Sequence, residues 1–246
     1  MKKGLFRENF QNIYDILMEL LFPPRCPICD KIQNRKEKGI CPDCRKKIRY
    51  IREPGCMKCS KPLSDEEQEY CKDCSEIDHY YKQGRALFGY RTIDRAIYKF
   101  KYKGRKEYGE ILGEEMAYFL GDYIRRIKPD ALIPVPMYSA KKRVRGYNQA
   151  EVLANMLGKC LNVPVRADLV KRVKNTRALK VLNRKERLNN LKNAFILEGN
   201  SVKLKTIIIV DDIYTTGSTI DGVAEVFQKA GVRNIYFVTL AIGEGS

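Results

Sequence analysis

The spacing of apolar residues gives the chain a front without strand-and-helix rhythm and a long second part that has one. Over 5–22, Leu5, Phe6, Phe10, Ile13, Leu17, Leu20 and Leu21 recur at helical spacing until Pro23 and Pro24, which predicts an amphipathic helix packed on the protein's own core or laid on a membrane surface. From residue 85 the pattern alternates. A short strand is expected at 86–90, helix at 106–124, a buried strand at 131–135, helix at 148–161 and a strand at 163–173. A polar, basic stretch at 174–193 precedes a β-branched run at 205–210, a helix at 218–230 and a strand at 234–242. Strands alternating with helices predict an α/β domain with a mostly parallel sheet covered on both faces, its ligand site beyond the carboxyl ends of the strands. Cys160 shares the apolar face of the 148–161 helix with Leu153, Met156 and Leu157 and is expected to be a core thiol.

The front is organised by cysteine. Eight of the nine cysteines form four CxxC pairs, Cys26/Cys29, Cys41/Cys44, Cys56/Cys59 and Cys71/Cys74, repeating every fifteen residues. Two intervening residues let one tight turn aim both sulfurs at a single tetrahedral ion, so the pairs read as ligands for two structural Zn2+ ions. Sequential pairing (Cys26, Cys29, Cys41, Cys44 and Cys56, Cys59, Cys71, Cys74) repeats a 30-residue unit; cross-braced pairing fits the spacing equally well. Four thiolates leave no open coordination position, so these sites organise structure and do no hydrolysis. The expected division is a helix and double ribbon at 1–80 and an α/β domain at 81–246.

With 246 residues, 44% of them hydrophobic, the chain can bury a sizeable core. No run of about 18 apolar residues exists, and Asp15 and Glu19 interrupt the stretch at 10–22, so a soluble, cytoplasmic protein without a membrane span is expected. The net charge of +17 favours a polyanionic partner. Up to residue 80 there are 16 basic and 14 acidic residues, and beyond it 31 and 16, so the excess belongs to the second domain. There Lys99, Lys101, Lys103, Arg105 and Lys106 interleave with Tyr98, Phe100, Tyr102 and Tyr108, and Lys141, Lys142, Arg143 and Arg145 form a block. Ten basic residues, Lys171, Arg172 and Lys174 among them, lie between Arg166 and Lys192. Cations that track phosphates beside aromatics that stack on bases suit single-stranded nucleic acid; a solvated basic face with phosphate contacts to a small ligand is the plainer alternative.

The segment 207–219, IIIVDDIYTTGST, carries the most specific chemistry. A buried strand ends in Asp211 and Asp212, and Thr215, Thr216, Gly217, Ser218 and Thr219 then turn into a helix. Gly217 permits close backbone approach, while the helix N-terminus and the hydroxyls supply donors, which together make a phosphate cradle. No lysine stands in the loop and neither GxxxxGK[ST] nor GxGxxG occurs in the chain, which disfavours a triphosphatase or dinucleotide site. The two acids are suited to the vicinal hydroxyls of a ribose 5-phosphate.

This segment resembles the 5-phosphoribosyl-1-pyrophosphate (PRPP) motif of type I phosphoribosyltransferases. The resemblance implies that Asp211 and Asp212 hold the ribose hydroxyls, that 215–219 hold the 5-phosphate, and that Mg2+ accompanies PRPP. Tyr214 stands where that motif commonly has a small aliphatic residue. PVP at 134–136, followed by Lys141, Arg143 and Arg145, occupies the place of the pyrophosphate loop. Taken with the cysteine-rich front, the RGYNQ of 145–149 and the pair Arg187 and Asn190, nearly the whole chain is similar to the ComF family of double-zinc-ribbon, phosphoribosyltransferase-like proteins; Leu179 stands where that pattern has glutamine.

That resemblance implies a part in natural competence: passage of transforming single-stranded DNA into the cytoplasm beside a helicase-like partner. Three activities are compatible with the residues. One is PRPP binding coupled to single-stranded DNA, another is phosphoribosyl (pentosyl) transfer to an amine or base, and the third is PRPP sensing without chemistry. The only histidine, His79, falls at the domain junction, where a structural or exposed role is expected.

Overall fold

The β-branched run is the middle of the molecule's principal sheet. In this computed structural model, which describes residues 21, 23–34, 38–52, 54–63, 65, 67–174, 193–198 and 203–243, strand β5 (Thr206–Tyr214) lies between β6 (Asn234–Ile242) and β2 (Ala131–Pro134). Strand β1 (Gln83–Gly89) completes the order β1-β6-β5-β2, and all neighbours are parallel. In register, Ile133 faces Ile209 and Ile209 faces Phe237. Ile207 and Ile209 join a core cluster with Ile220, Val223 and Phe227, while the alternate Ile208 and Val210 are equally buried outside it. Both faces are covered, as parallel sheets require.

One covering helix is α7 (Ser218–Lys229), which follows β5 and leads into β6. Among the others are α4 (Lys106–Ile127) and α6 (Gln149–Leu161), which pack on each other where Gly113 of α4 lies against Met156. The strands and helices expected from residue 85 onward are present, with three differences. Residues 90–102 form a helix, α3 (Tyr90–Tyr102), bent at Ile93, that basic and aromatic composition had masked. The segment after β2 holds a short helix, α5 (Ser139–Arg145). The expected strand at 163–173 is an isolated bridge from Val165 to Leu132, then β3 (Val170–Arg172), paired antiparallel with β4 (Phe195–Leu197).

Compactness divides the chain into residues 1–48 and 49–246. The second ribbon lies in the same compact unit as the α/β domain, and segments on both sides of residue 80 contribute to one core. Cys56, Cys59 and Cys71 are buried in the same cluster as Tyr81 and Phe237. Gly84 N donates to Lys58 O at 2.8 Å, Ile51 N to Leu87 O at 2.9 Å and Ala86 N to Ser60 Oγ at 2.9 Å, so the ribbon covers backbone groups of the sheet's edge strand. The helix α2 (Lys72–Glu76) carries the last cysteine of this ribbon.

The smaller unit repeats the local geometry. Cys26 N donates to Lys31 O and Asp30 N to Cys26 O, as Cys56 N does to Lys61 O and Ser60 N to Cys56 O thirty residues later. Asp30 and Ser60 close the two turns at φ 65° and 63°, and α1 (Pro42–Lys47) matches α2. The expected helix at 5–22, apart from residue 21, lies outside the described residues, as do Arg187, Asn190 and most of 174–193. No helix among the described residues is long and apolar enough to cross a membrane.

Candidate ribose phosphate site and metal centres

Each zinc cluster is assembled from consecutive pairs. Ligand atoms of Cys26, Cys29, Cys41 and Cys44 lie within 4.8 Å of one another, as do those of Cys56, Cys59, Cys71 and Cys74. The pairing left open by spacing is sequential. Cys29 Sγ lies 3.8 Å from Cys41 Sγ, and Cys59 Sγ lies 3.7 Å from Cys71 Sγ, separations suited to thiolates sharing one tetrahedral ion. Four soft donors and no acid fit zinc. Cys160 belongs to neither group. It is exposed in the last turn of α6, beside a surface groove bordered by Tyr118 and Arg125 of α4, so the core position expected for it is not found.

The loop expected to cradle phosphate forms where β5 hands over to α7. Asp211 and Asp212 occupy the end of the strand, Thr215 to Gly217 make the turn, and Gly217 caps the helix in the left-handed region at φ +81°. Thr216 Oγ1 lies 2.9 Å from Ser218 Oγ, and the first turn of α7 brings its N–H groups to the same place. Asp212 N donates to Asp211 Oδ1 at 2.8 Å. Burial, and then the neighbouring charge of Asp212, push the Asp211 pKa up to about 7, against the pull of the Asp212 N–H, Lys101 and Arg172. Tyr214, the departure from the motif, is buried with its hydroxyl 2.7 Å from that of Tyr81 and its ring stacked on Phe237.

A residue grouped by composition with the nucleic-acid-binding set turns inward. Lys101 Nζ lies 2.8 Å from Asp212 Oδ2, its side chain 18% exposed. Burial works against its charge, but Asp212 outweighs burial and raises the Lys101 pKa. The RGYNQ segment helps to aim it. Tyr147 Oη and Gln149 Nε2 both donate to the Phe100 carbonyl, one residue before Lys101. Asn148 Nδ2 donates to Val135 O at 2.9 Å, fixing the same segment to the end of β2. Arg145 donates to Gln149 Oε1 at 2.6 Å and places its guanidinium 5.0 Å from the Tyr102 ring centroid.

The other cations divide. Lys141 and Arg143 are exposed on α5; partial burial, followed by Arg172 and Arg145, lowers the Lys141 pKa, which marks a concentration of positive charge here. Arg172 is half-buried, 5.4 Å over the Phe195 ring, in a cleft shared with Pro136, Lys142 and Lys171. Lys171 pairs with Glu198 at 3.0 Å, Arg105 with Glu107 at 3.2 Å, and Lys106 with Glu110 at 3.9 Å. Lys103 and Lys174 face solvent, and Lys99 is half-buried. Of the interleaved aromatics, Tyr98 and Tyr102 are exposed with ring centroids 5.3 Å apart, whereas Phe100 and Tyr108 are core.

Sequence reasoning missed three partners of the loop. His79 has a wholly buried side chain with Nδ1 2.7 Å from Asp221 Oδ2, and Tyr81 holds Tyr214. The acid at 221 in the first turn of a predicted helix was a weak signal; nothing local connected it with residue 79.

Residues 17–75 match the double zinc ribbon domain family and residues 107–245 the phosphoribosyl transferase domain family. Competence protein F of Haemophilus influenzae is 42% identical over 115 residues, 46% of this chain and 50% of that protein. DNA utilization protein YhgH of Shigella flexneri is 35% identical over 107 residues, 44% of this chain and 47% of its own length. Competence protein ComFC of Streptococcus pneumoniae is 30% identical over 151 residues, 61% and 64% of the two chains. The aligned part spans about half the length of the first two relatives.

Proposed function

The chain belongs to the phosphoribosyl transferase domain family, carries a double zinc ribbon ahead of that domain and is ComF-like as a whole, and from that premise we propose that it is a cytoplasmic PRPP-binding protein that handles single-stranded DNA during uptake. The observation that carries the reading is the Asp211–Asp212 pair at the end of β5, followed within three residues by a glycine-closed loop at a helix N-terminus. The two carboxylates accept hydrogen bonds from the ribose hydroxyls. Backbone N–H groups and hydroxyls of 215–219 donate to the 5-phosphate, which the α7 N-terminus favours electrostatically. Lys101, paired with Asp212, and the concentration of positive charge around Lys141, Arg145 and Arg172 support a site for the pyrophosphate group. Mg2+ arriving with PRPP would neutralise part of that charge, held mostly by ligand and water.

A role in competence is supported by the names of the relatives, and the single-stranded partner by the exposed Tyr98–Tyr102 pair beside Lys103 and Arg145. A helicase-like protein would stand next to it in DNA passage. Transfer of ribose 5-phosphate to an amine or base is the second reading, supported by the cleft at the end of β2 between Pro136, Lys142 and Arg172, which offers space for an acceptor. Anisotropy of labelled single-stranded and duplex DNA at several salt concentrations, with and without PRPP and Mg2+, tests the first. A single-strand preference that shifts with PRPP is expected, and weak binding alike for both forms overturns it. Pyrophosphate release with a candidate nucleophile would select transfer.

A further inference from the structure

The phosphate loop is seated against the segment that follows the second zinc cluster. A side chain at Gly217 would meet Tyr214 Oη at 2.8 Å, His79 Cε1 at 2.9 Å and Tyr81 Oη at 3.0 Å, so residues 79–81 form the wall on which the loop is moulded. His79 is held at both ring nitrogens. Nδ1 lies 2.7 Å from Asp221 Oδ2, and Nε2 lies 3.7 Å from Sγ of Cys74, the last cysteine of the cluster. The other Asp221 oxygen accepts from Tyr80 N at 3.0 Å, and Asp221 N donates to Gly217 O at 2.8 Å. An unbroken series of polar contacts thus runs from Cys74 through His79 and Asp221 to the residue that closes the loop.

We propose that His79 and Asp221 are positioning residues that couple the second zinc cluster to the phosphate loop, so that a filled cluster holds the loop in its binding shape and bound ribose phosphate retains the cluster's ion. This rests on the reading of 215–219 as a phosphate cradle. The coupling is a property of one cluster only: the residue five positions after Cys44, equivalent to His79, is Arg49. It is also reciprocal, because any ligand favoured by the metal-loaded arrangement must favour metal retention to the same extent. Rigidity supplies the physical link. His79 has no exposed side-chain surface and stacks on Tyr81 at 4.6 Å, so Cys74 cannot be displaced without moving the wall under Gly217.

The test measures PRPP affinity in Mg2+ by calorimetry for the wild type, Asp221→Asn, His79→Leu and His79→Asn, and zinc release to a chromophoric chelator with and without PRPP. Asp221→Asn and His79→Leu are expected to start with the full zinc content and bind PRPP about 10-fold more weakly, within the usual range of coupling between sites. His79→Asn, which keeps an amide donor near the place of Nδ1, should recover most of that loss. In the wild type PRPP should slow the release of one of the two ions about 5-fold or more and leave the other unchanged; in His79→Leu it should slow neither. Variants with unchanged PRPP affinity, or wild-type zinc release indifferent to bound PRPP, overturn the coupling and leave the cradle standing. A wild type without PRPP affinity overturns the cradle and the coupling together. Should His79→Leu fail to fold, the wild-type release rates decide.

Discussion

Lys101 Nζ is 2.8 Å from Asp212 Oδ2, an ion pair between the end of α3 and the end of the central strand. It joins a residue ahead of the matched family segment 107–245 to the acid pair inside it. Replacing Lys101 by Met leaves Asp211 and Asp212 adjacent without their compensating ammonium. The expected result is a loss of PRPP affinity of about 10-fold or more, where each tenfold is 1.4 kcal/mol, with zinc content unchanged. Lys103→Met, whose side chain faces solvent, should have little effect. Calorimetric titration of both variants checks the contrast.

Asp211 gives the site a pH dependence. Its folded pKa of about 7 lies above the ordinary carboxylate value of 3.8, so between those values the folded chain holds more protons than the unfolded one. The contribution of Asp211 to stability is therefore greatest at low pH and lost as pH rises toward 7. Asp211→Asn should flatten this part of the stability profile, and its gain over the wild type should shrink as pH falls from 7 to 5. PRPP affinity is expected to run the opposite way, strengthening as pH rises through 7, because the ionised carboxylate is the better acceptor. Thermal melts and titrations between pH 5 and 8 test both slopes.

The two zinc clusters should differ in what their loss does. Cys26→Ser with Cys29→Ser should remove about one zinc per chain and leave the melting of residues 49–246 nearly unchanged, because that unit has its own core. Cys56→Ser with Cys59→Ser should also remove about one zinc but lower the melting temperature of the α/β domain, since both cysteines belong to its core cluster. Zinc assays with calorimetric melting distinguish the pairs; equal effects on the α/β transition would refute the assignment.

Tyr214→Phe removes one partner of a buried hydroxyl pair and leaves the Tyr81 hydroxyl without its bond. A cost of about 1–3 kcal/mol is expected, with a measurable loss of PRPP affinity because Tyr214 Oη also lies against Gly217. Denaturant unfolding measures the first and titration the second.

On the proposed single-stranded DNA surface, Tyr98→Ala and Tyr102→Ala should each weaken binding about 5- to 100-fold, as loss of a stacking platform does, without altering stability. Anisotropy measures the affinity and melting confirms the fold. Wild-type affinity in both variants would remove these rings from the interface.

What could be read from the chain was local. The fifteen-residue cysteine period and the strand, acid pair and glycine turn of 207–219 each declare themselves within a few residues, because metal geometry and phosphate cradling constrain neighbours along the backbone. Strand and helix alternation likewise follows from side-chain periodicity, which fixed the α/β class and most element positions after residue 85. Zinc pairing could not be read, since equal spacing serves both arrangements and only the packing of each unit selects one. The inward turn of Lys101 was equally hidden: composition sees a lysine among tyrosines, whereas its direction is set by hydrogen bonds from Tyr147 and Gln149, nearly fifty residues away, to the Phe100 carbonyl. His79 and Asp221 are 142 residues apart and meet because the second ribbon packs on the sheet and brings the segment behind Cys74 against the turn at 215–219. The sequence determined which residues stand together in each motif; tertiary structure decided which motifs touch, because long-range packing and not local propensity brings distant side chains within hydrogen-bonding reach.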